Sequence, residues 1–200
     1  TSNLLKRLES SVHSFRLTLQ KLQGKYDGIL SIIQDYNDGL ITDKSLSSAL
    51  ANEDIDDEDL ENIGETFIGD NIKINLADMD VKSWEYDLKN DLKLIKFLLA
   101  EMHKITPKHD FKLQDIKSHI DNKIKNPINA NNKKAIVFTA FADTADYLYE
   151  HISEYIQDEH HLHSAKVTGS KNTTTANGSY DFQSILTLFS PKSKDKDVLM

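Results

Sequence analysis

The sequence contains no cysteine and has little glycine or proline. Its 200 residues include no Cys, seven Gly and three Pro. Without cysteine the chain can form neither a disulfide nor a thiolate metal site, which fits a reducing compartment. The scarcity of glycine and proline excludes collagen-like and low-complexity chains. A hydrophobic fraction of 38% and a charged fraction of 28% are typical of a globular protein with a modest core.

Long apolar runs are also absent. No stretch approaches the roughly 20 consecutive apolar residues that cross a bilayer, and residues 1–7 lack the apolar region of a signal peptide. We therefore expect no membrane partner and a cytoplasmic location. The formal net charge of −8 disfavours non-specific binding of the whole chain to nucleic acid. Any nucleic-acid role must depend on particular positions.

Apolar residues three or four positions apart predict a helical domain over residues 1–125. The spacing indicates long helices at about residues 2–37, 80–105 and 110–124. The apolar stripe of the first helix comprises Leu4, Leu8, Val12, Phe15, Leu19, Leu22, Tyr26, Ile29 and Ile33. Trp84 begins the apolar face of the second helix and is predicted to be a core residue. Two long amphipathic helices most simply pack as an antiparallel hairpin.

The segment between the first two long helices is less regular. Seven of the nine residues 53–61 are acidic, which indicates an exposed segment. It is either a region that binds a partner or mimics nucleic acid, or a solvated loop or short helix. Residues 68–72 could turn a weak hairpin.

After an Asn-rich linker at residues 125–132, the pattern changes to short apolar runs that alternate with helical segments. Ala135-Ile136-Val137-Phe138 is typical of a parallel strand buried on both faces. Strands are predicted at about 134–139, 164–168 and 196–200, with a helix after each of the first two and a polar connection at 170–179. This order is the beginning of a doubly wound parallel sheet. The predicted fold is therefore α/β, mostly α overall.

Several segments resemble bacterial Swi/Snf-like ATPases, which belong to the DEAD/DEAH-type helicases of superfamily two. Residues 134–145, KAIVFTAFADTA, resemble the helicase motif usually numbered four, and Val167-Thr168-Gly169 resembles the next conserved strand end. Residues 185–191, ILTLFSP, resemble the helix that follows, and residues 4–12, LLKRLESSV, resemble a segment at or before the second motor lobe. The resemblance implies a helical insert over 1–125 and a partial RecA-like C-terminal lobe, with a three-layer parallel sheet, over 126–200.

The resemblance also implies a function. The full-length protein would be an ATP-dependent helicase or translocase that uses ATP and Mg²⁺. Its partners would be nucleic acid, most simply double-stranded DNA, and the missing RecA-like lobe. This chain has no G-x-x-x-x-G-K-[ST] phosphate loop. We therefore expect a fragment without catalytic residues, cofactor or ATP hydrolysis, whose parent continues beyond Met200 with a Ser/Thr-Asp motif and an arginine-finger motif.

By the same resemblance, five residues are candidates for nucleic-acid contacts. Thr139 would hydrogen-bond a phosphate, and Gly169 would let a phosphate approach the backbone closely, since ligands gather at the carboxyl ends of strands. Phe141 would shape the turn beside Thr139, although packing in the core also explains it. The complete set is Thr139, Phe141, Thr168, Gly169 and Lys171.

Three further groups have two interpretations each. Lys6 and Arg7 match a pair near the inter-lobe cleft of the family, or belong to an ordinary solvated helix face. The histidines at 160, 161 and 163 could bind zinc or nickel, but a polar connection explains them and no metal site is predicted. Residues 158–161, Asp-Glu-His-His, match the DExH pattern of helicases. They follow a helix rather than a buried strand, so a surface loop is predicted instead.

A helical adaptor with a small α/β module that binds a protein partner is the alternative to the motor. The acidic run and the net charge favour it. The motor interpretation depends on residues 133–200 forming three parallel strands separated by two helices. An arrangement in which those segments are antiparallel to one another, or merge into the helical bundle, would end it.

Overall fold

A computed structural model of the chain describes residues 2–40, 76–169, 171–178 and 180–190. The described residues are mostly helical, with six α-helices and one two-stranded antiparallel sheet. This confirms the mostly α composition. The acidic run at 53–61, the predicted hairpin at 68–72 and the predicted strand at 196–200 lie outside the described residues. The chain divides into two compact units, Thr1–Lys104 and Ile105–Met200.

The described residues of the first unit form three α-helices and a short 3₁₀ turn. They are α1 (Ser2–Ser10), α2 (Val12–Asn37), the 3₁₀ turn Leu76–Asp78 and α3 (Val81–His103). The α3 helix begins where the Asp80 carboxylate accepts a hydrogen bond from the Ser83 backbone N–H, at 3.1 Å.

The predicted single helix over 2–37 is interrupted at Ser11. The backbone of Ser11 is extended, with φ −158° and ψ 152°, and its side chain accepts a hydrogen bond from the Ser14 N–H. Serine is a favoured N-cap because its hydroxyl satisfies one of the free N–H groups of the first turn. The apolar spacing continues across this break, so the periodicity alone did not reveal it.

Antiparallel packing of α2 on α3 forms the core of the first unit. The C-terminal half of α2 contributes Ile29 and Ile33 to a cluster with residues from the N-terminal half of α3. The N-terminal half of α2 packs on the C-terminal half of α3 in a second cluster, formed by Phe15, Leu19, Leu22, Ile95 and Leu99. Trp84 packs against the first cluster, so its predicted core role is confirmed.

In the second unit, the residues that the structure describes form three α-helices, a 3₁₀ turn and the small sheet. They are the 3₁₀ turn Pro107–His109, α4 (Phe111–Lys125), α5 (Ala142–His160), β1 (Ala165–Val167), β2 (Asn172–Thr174) and α6 (Phe182–Phe189). Its apolar cluster comprises Leu113 from α4 with Tyr147 and Ile152 from α5. This packing accounts for the place of α4 in the second unit, although the predicted boundary lies between residues 125 and 126.

The predicted parallel sheet is wrong for the residues that the structure describes. Residues 134–139 are not a strand, and their apolar side chains are exposed, at 60% for Ile136, 49% for Val137 and 90% for Phe138. A strand needs a hydrogen-bonding neighbour, and the described residues provide none here. The strand predicted at 164–168 does form, as β1. Its partner is β2, from the predicted polar connection, and the pair is antiparallel, with Ala165 opposite Thr174.

Candidate functional site

A buried carboxylate–tyrosine pair joins α4 to α5. Asp110 caps α4, where its Oδ1 accepts a hydrogen bond from the Leu113 N–H at 3.2 Å. Its Oδ2 accepts a hydrogen bond from the Tyr147 hydroxyl at 3.0 Å. Both residues are only 5% exposed. Since one carboxylate fixes the start of α4 and also holds α5, the pair positions these two helices together.

A second carboxylate joins the same two helices nearer the C-terminal end of α5. Asp121 accepts hydrogen bonds from the Tyr155 hydroxyl, at 2.8 Å to Oδ1 and 2.7 Å to Oδ2. The His160 Nε2 lies 2.7 Å from Asp121 Oδ1, and the Lys117 Nζ lies 5.1 Å from the Tyr155 ring centroid. The Tyr155 and His160 hydrogen bonds lower the pKa of Asp121. The same carboxylate raises the pKa of Tyr155 to about 12.

The Asp121–Tyr155 pair predicts a pH-dependent stability. The folded-state pKa of Asp121 is lower than its ordinary value of 3.8, so its contribution is present above that value and is lost as the pH falls through the folded-state pKa. In thermal melts, Tyr155→Phe should lower Tm at neutral pH. The difference in Tm from wild type should shrink as the pH falls below the ordinary carboxylate value.

The same pair should also respond at high pH, where the sign is reversed. Because the pKa of Tyr155 is raised, the hydrogen bond of its hydroxyl stabilises the folded state fully below pH 10. This stabilisation disappears as the pH rises towards about 12. Tyr36→Phe is the matched control, because Tyr36 belongs to α2 and packs against the apolar cluster of the first unit. A constant Tm difference between wild type and Tyr155→Phe from acid to alkaline pH would refute this prediction.

Thr139 and Phe141 lie together at the start of α5. The Thr139 hydroxyl donates a hydrogen bond to the Phe141 carbonyl oxygen at 3.0 Å. Phe141 is the N-cap residue, with an extended backbone and no side-chain capping hydrogen bond. Asp143 and Thr144, whose residue types often cap helices, lie inside α5, which begins at Ala142. A phosphate contact by Thr139 would require its O–H to leave the Phe141 carbonyl.

Thr168, Gly169 and Lys171 lie in the turn that joins β1 to β2. The Thr168 N–H and hydroxyl both donate to the Lys171 carbonyl oxygen, at 3.0 and 2.9 Å. The Lys171 N–H donates to the Thr168 hydroxyl oxygen at 3.1 Å. Thr168 thus closes a tight hairpin, which keeps its hydroxyl occupied. Among the described residues of this turn, Gly169 and Lys171 are exposed.

The hairpin is attached to α5 by Lys166 of β1. The Lys166 ammonium forms an ion pair with the Asp146 carboxylate of α5, and it lies 5.8 Å from the Tyr149 ring centroid. The strand itself forms by pairing with β2, and these contacts hold it against α5.

Lys6 and Arg7 have different environments in α1. Lys6 is exposed, whereas Arg7 is only 3% exposed and its Nη1 donates a hydrogen bond to the Ser14 hydroxyl of α2 at 3.2 Å. Of the two interpretations, a solvated helix face therefore suits Lys6 and does not suit Arg7. Burial of a guanidinium requires compensating polar contacts, and the Ser14 hydroxyl provides one of them.

The DExH-like segment belongs to a helix rather than to the predicted surface loop. Asp158, Glu159 and His160 form the last residues of α5, and His161 ends the helix in the left-handed conformation, with φ 53°. His160 contacts Asp121, and the His163 Nδ1 lies 3.3 Å from the Thr175 hydroxyl. Within the described ranges, no group of three or more His, Cys, Asp or Glu residues could hold a metal ion.

Sequence reasoning missed the contact that connects the two motif-like segments. The Lys134 ammonium donates a hydrogen bond to the Phe189 carbonyl oxygen at the end of α6, and it also lies 5.6 Å from the Phe189 ring centroid. Residues 134 and 189 belong to separate segments of the family resemblance. The local sequence pattern of neither segment predicts a contact between residues so far apart in the chain.

Comparisons with known proteins identify no relative. No protein family, no curated protein and no solved structure matches the chain. Among the helices that the structure describes, none is long and apolar enough to cross a membrane.

Proposed function

We propose that the chain is a non-hydrolysing part of an ATP-dependent nucleic-acid motor of the Swi/Snf-like kind. The observation that carries the proposal is the ordered resemblance of residues 134–145, 167–169 and 185–191 to helicase segments. In this role the chain contributes contacts to nucleic acid and to a second motor lobe. The parts that hydrolyse ATP, including the phosphate loop and its lysine, lie elsewhere in the parent protein.

Two features of the second unit agree with this proposal. The segment 134–139 precedes α5, and β1 follows that helix, which preserves the order of the motor segments. Lys134 connects the end of α6 to the start of the apolar segment. A third feature counts against it, because β1 has an antiparallel neighbour in place of the predicted parallel one, although that neighbour, residues 172–174, is not one of the three predicted strands.

The exposed run Ile136–Phe138 is the physical reason to place this unit in a larger sheet. Three large apolar side chains are costly to leave in water, at about 25 cal/mol for each Å² of apolar surface. A central parallel strand covered on both faces would remove that cost. A motor lobe whose other strands come from outside the described residues would use this run as a central strand.

The test is duplex-stimulated ATP hydrolysis. The 200-residue chain alone should hydrolyse no ATP above background, with or without duplex DNA. The complete gene product should hydrolyse ATP, and duplex DNA should accelerate it. Thr139→Ala in the complete product should weaken DNA binding by roughly tenfold, because a hydrogen bond to a charged group is worth about 1.5–3 kcal/mol.

The matched control is Thr187→Ala, because the Thr187 hydroxyl is exposed on α6 and bonds the Gln183 carbonyl oxygen of its own helix. That variant should bind duplex DNA like the wild type. A complete product with no ATP hydrolysis in the presence of DNA, or turnover by the isolated chain, would contradict the proposal.

A helical adaptor is the second candidate, favoured by a specific observation in the first unit. The outer face of α3 exposes large apolar side chains although its inner face is already packed on α2. Exposed apolar patches commonly mark protein-binding sites. An adaptor would bind its partner without ATP, so the hydrolysis measurement above separates the two candidates.

A further inference from the structure

The α3 helix has apolar side chains on two opposite faces. Its inner face, with Leu88, Leu92, Ile95 and Leu99, is buried against α2. With about 3.6 residues per turn, Tyr86 and Phe97 lie opposite the buried side, Leu94 lies next to them, and Leu98 lies at the border with the buried side. Their exposed fractions are 68%, 62%, 62% and 37%. We call these four residues the outer face of α3. A helix that is apolar on both sides is usually covered on both sides.

Charges of opposite sign run along the two edges of the outer face. One edge carries lysines, at positions 82, 89, 93 and 96, and the other carries Asp87 and Asp91. Lys89 pairs with Glu85 of the same helix at 2.5 Å, and Lys96 lies 3.5 Å from Asp27 of α2. Lys82 and Lys93 have no ion-pair partner within the described part of the chain. The lysine edge therefore retains unneutralised positive charge.

The charge balance of α3 differs from that of the chain. The helix holds four lysines and four acidic residues, Glu85, Asp87, Asp91 and Glu101, so these charges sum to zero. The whole chain has a net charge of −8. Net charge opposes association of like molecules, so a neutral apolar face is where two copies of an acidic chain can approach with least repulsion.

We propose that the outer face of α3 is a homodimer interface, in which it packs against the same face of a second copy in parallel orientation. In a parallel two-fold pair, the lysine edge of one helix faces the aspartate edge of the other. In an antiparallel pair, the two lysine edges would face each other, and so would the two aspartate edges. Charges at the edges of an interface set the orientation of paired helices in this way. Asn90, between Tyr86 and Leu94, adds a central polar position that would fix the register.

A nucleic-acid partner is less suited to this face. Two of the four lysines already have carboxylate partners, and Leu94 and Leu98 offer nothing to a phosphate backbone. The proposal does not depend on the motor function, because it concerns only the first unit.

Sedimentation equilibrium of the full 200-residue chain tests the interface. The wild type should form dimers as the protein concentration rises. Leu94→Glu and Phe97→Glu should each weaken dimerisation by roughly tenfold or more. Both positions are more than half exposed, so circular dichroism should show unchanged helicity. Leu5→Glu is the control, since Leu5 is exposed on α1, and it should dimerise like the wild type.

Cross-linking tests the orientation. The chain has no cysteine, so Ser83→Cys introduces a single thiol near one end of α3. A short bis-maleimide should join two copies only in the parallel pair, because antiparallel packing puts the two thiols at opposite ends. A monomer at every concentration, or a dimer that Leu94→Glu leaves unchanged, would overturn the interface. A dimer that Ser83→Cys does not cross-link would overturn the parallel arrangement.

Discussion

Replacing Ile33 by alanine should lower the free energy of unfolding of the helical unit by about 2–5 kcal/mol. Ile33 is 0% exposed and lies in the cluster with Ile29, Leu76, Val81 and Leu88. Truncation removes its apolar surface and leaves a cavity that the surrounding side chains fill only in part. Trp84 is the single tryptophan of the chain and packs against this cluster, so its fluorescence in urea reports the loss.

Leu94→Ala is the matched control for this experiment. Leu94 lies in a helix of the same unit but is mostly exposed, so the same kind of truncation should change the unfolding free energy by no more than about 0.5 kcal/mol. Measurements at low protein concentration keep any association from adding to the difference. Equal losses for the two variants would mean that Ile33 is not in a packed core.

Removing the Asp110 carboxylate should produce the second large loss. Asp110→Ala deletes the cap of α4 and also the acceptor of the buried Tyr147 hydroxyl. A helix cap is worth about 0.5–2 kcal/mol, and depriving a buried donor of its acceptor costs about 1–3 kcal/mol. The combined expectation is about 2–4 kcal/mol, measured by circular dichroism in a denaturant titration.

Two further variants divide the Asp110 effect into its parts. Tyr147→Phe removes only the tyrosine hydrogen bond, so it should cost less than Asp110→Ala. Asp80→Ala removes the cap of α3, whose carboxylate is exposed and makes the same kind of bond to a backbone N–H. It should cost about 0.5–2 kcal/mol, the range for a cap alone. If Asp110→Ala is no worse than Asp80→Ala, the buried pair contributes nothing.

Periodicity predicted the helices because helical hydrogen bonds and side-chain faces are local. The bounds of α3 and α4 lie within a few residues of the predicted ones. The break at Ser11 was missed because a cap depends on one hydroxyl and one N–H, and these leave the apolar spacing unchanged. Asp110 stands at the start of the third predicted helix, a position typical of a cap. Its second partner, Tyr147, lies far along the chain and has no local signature.

The strands were predicted less well because a strand is defined by its neighbour. The run at 135–138 has the composition of a buried strand, yet composition does not supply a partner. The β1 strand was predicted from Ala165-Lys166-Val167, but β2, with Asn172, Thr173 and Thr174, has no apolar alternation. It forms because Thr168 and Lys171 close a tight turn. Of the candidate contact residues, Thr139 and Phe141 share one location and Thr168, Gly169 and Lys171 share another.

The exposed run Ile136-Val137-Phe138 also governs how the isolated protein behaves in solution. A short, uncharged, β-prone stretch with free backbone groups is a template for chain-to-chain pairing and aggregation. Lys133 and Lys134 stand directly before it, as charged residues often do beside such stretches. Because salt screens the repulsion between these lysines on different molecules, a high salt concentration removes one barrier to aggregation. We therefore expect less aggregation when the protein is stored at low ionic strength.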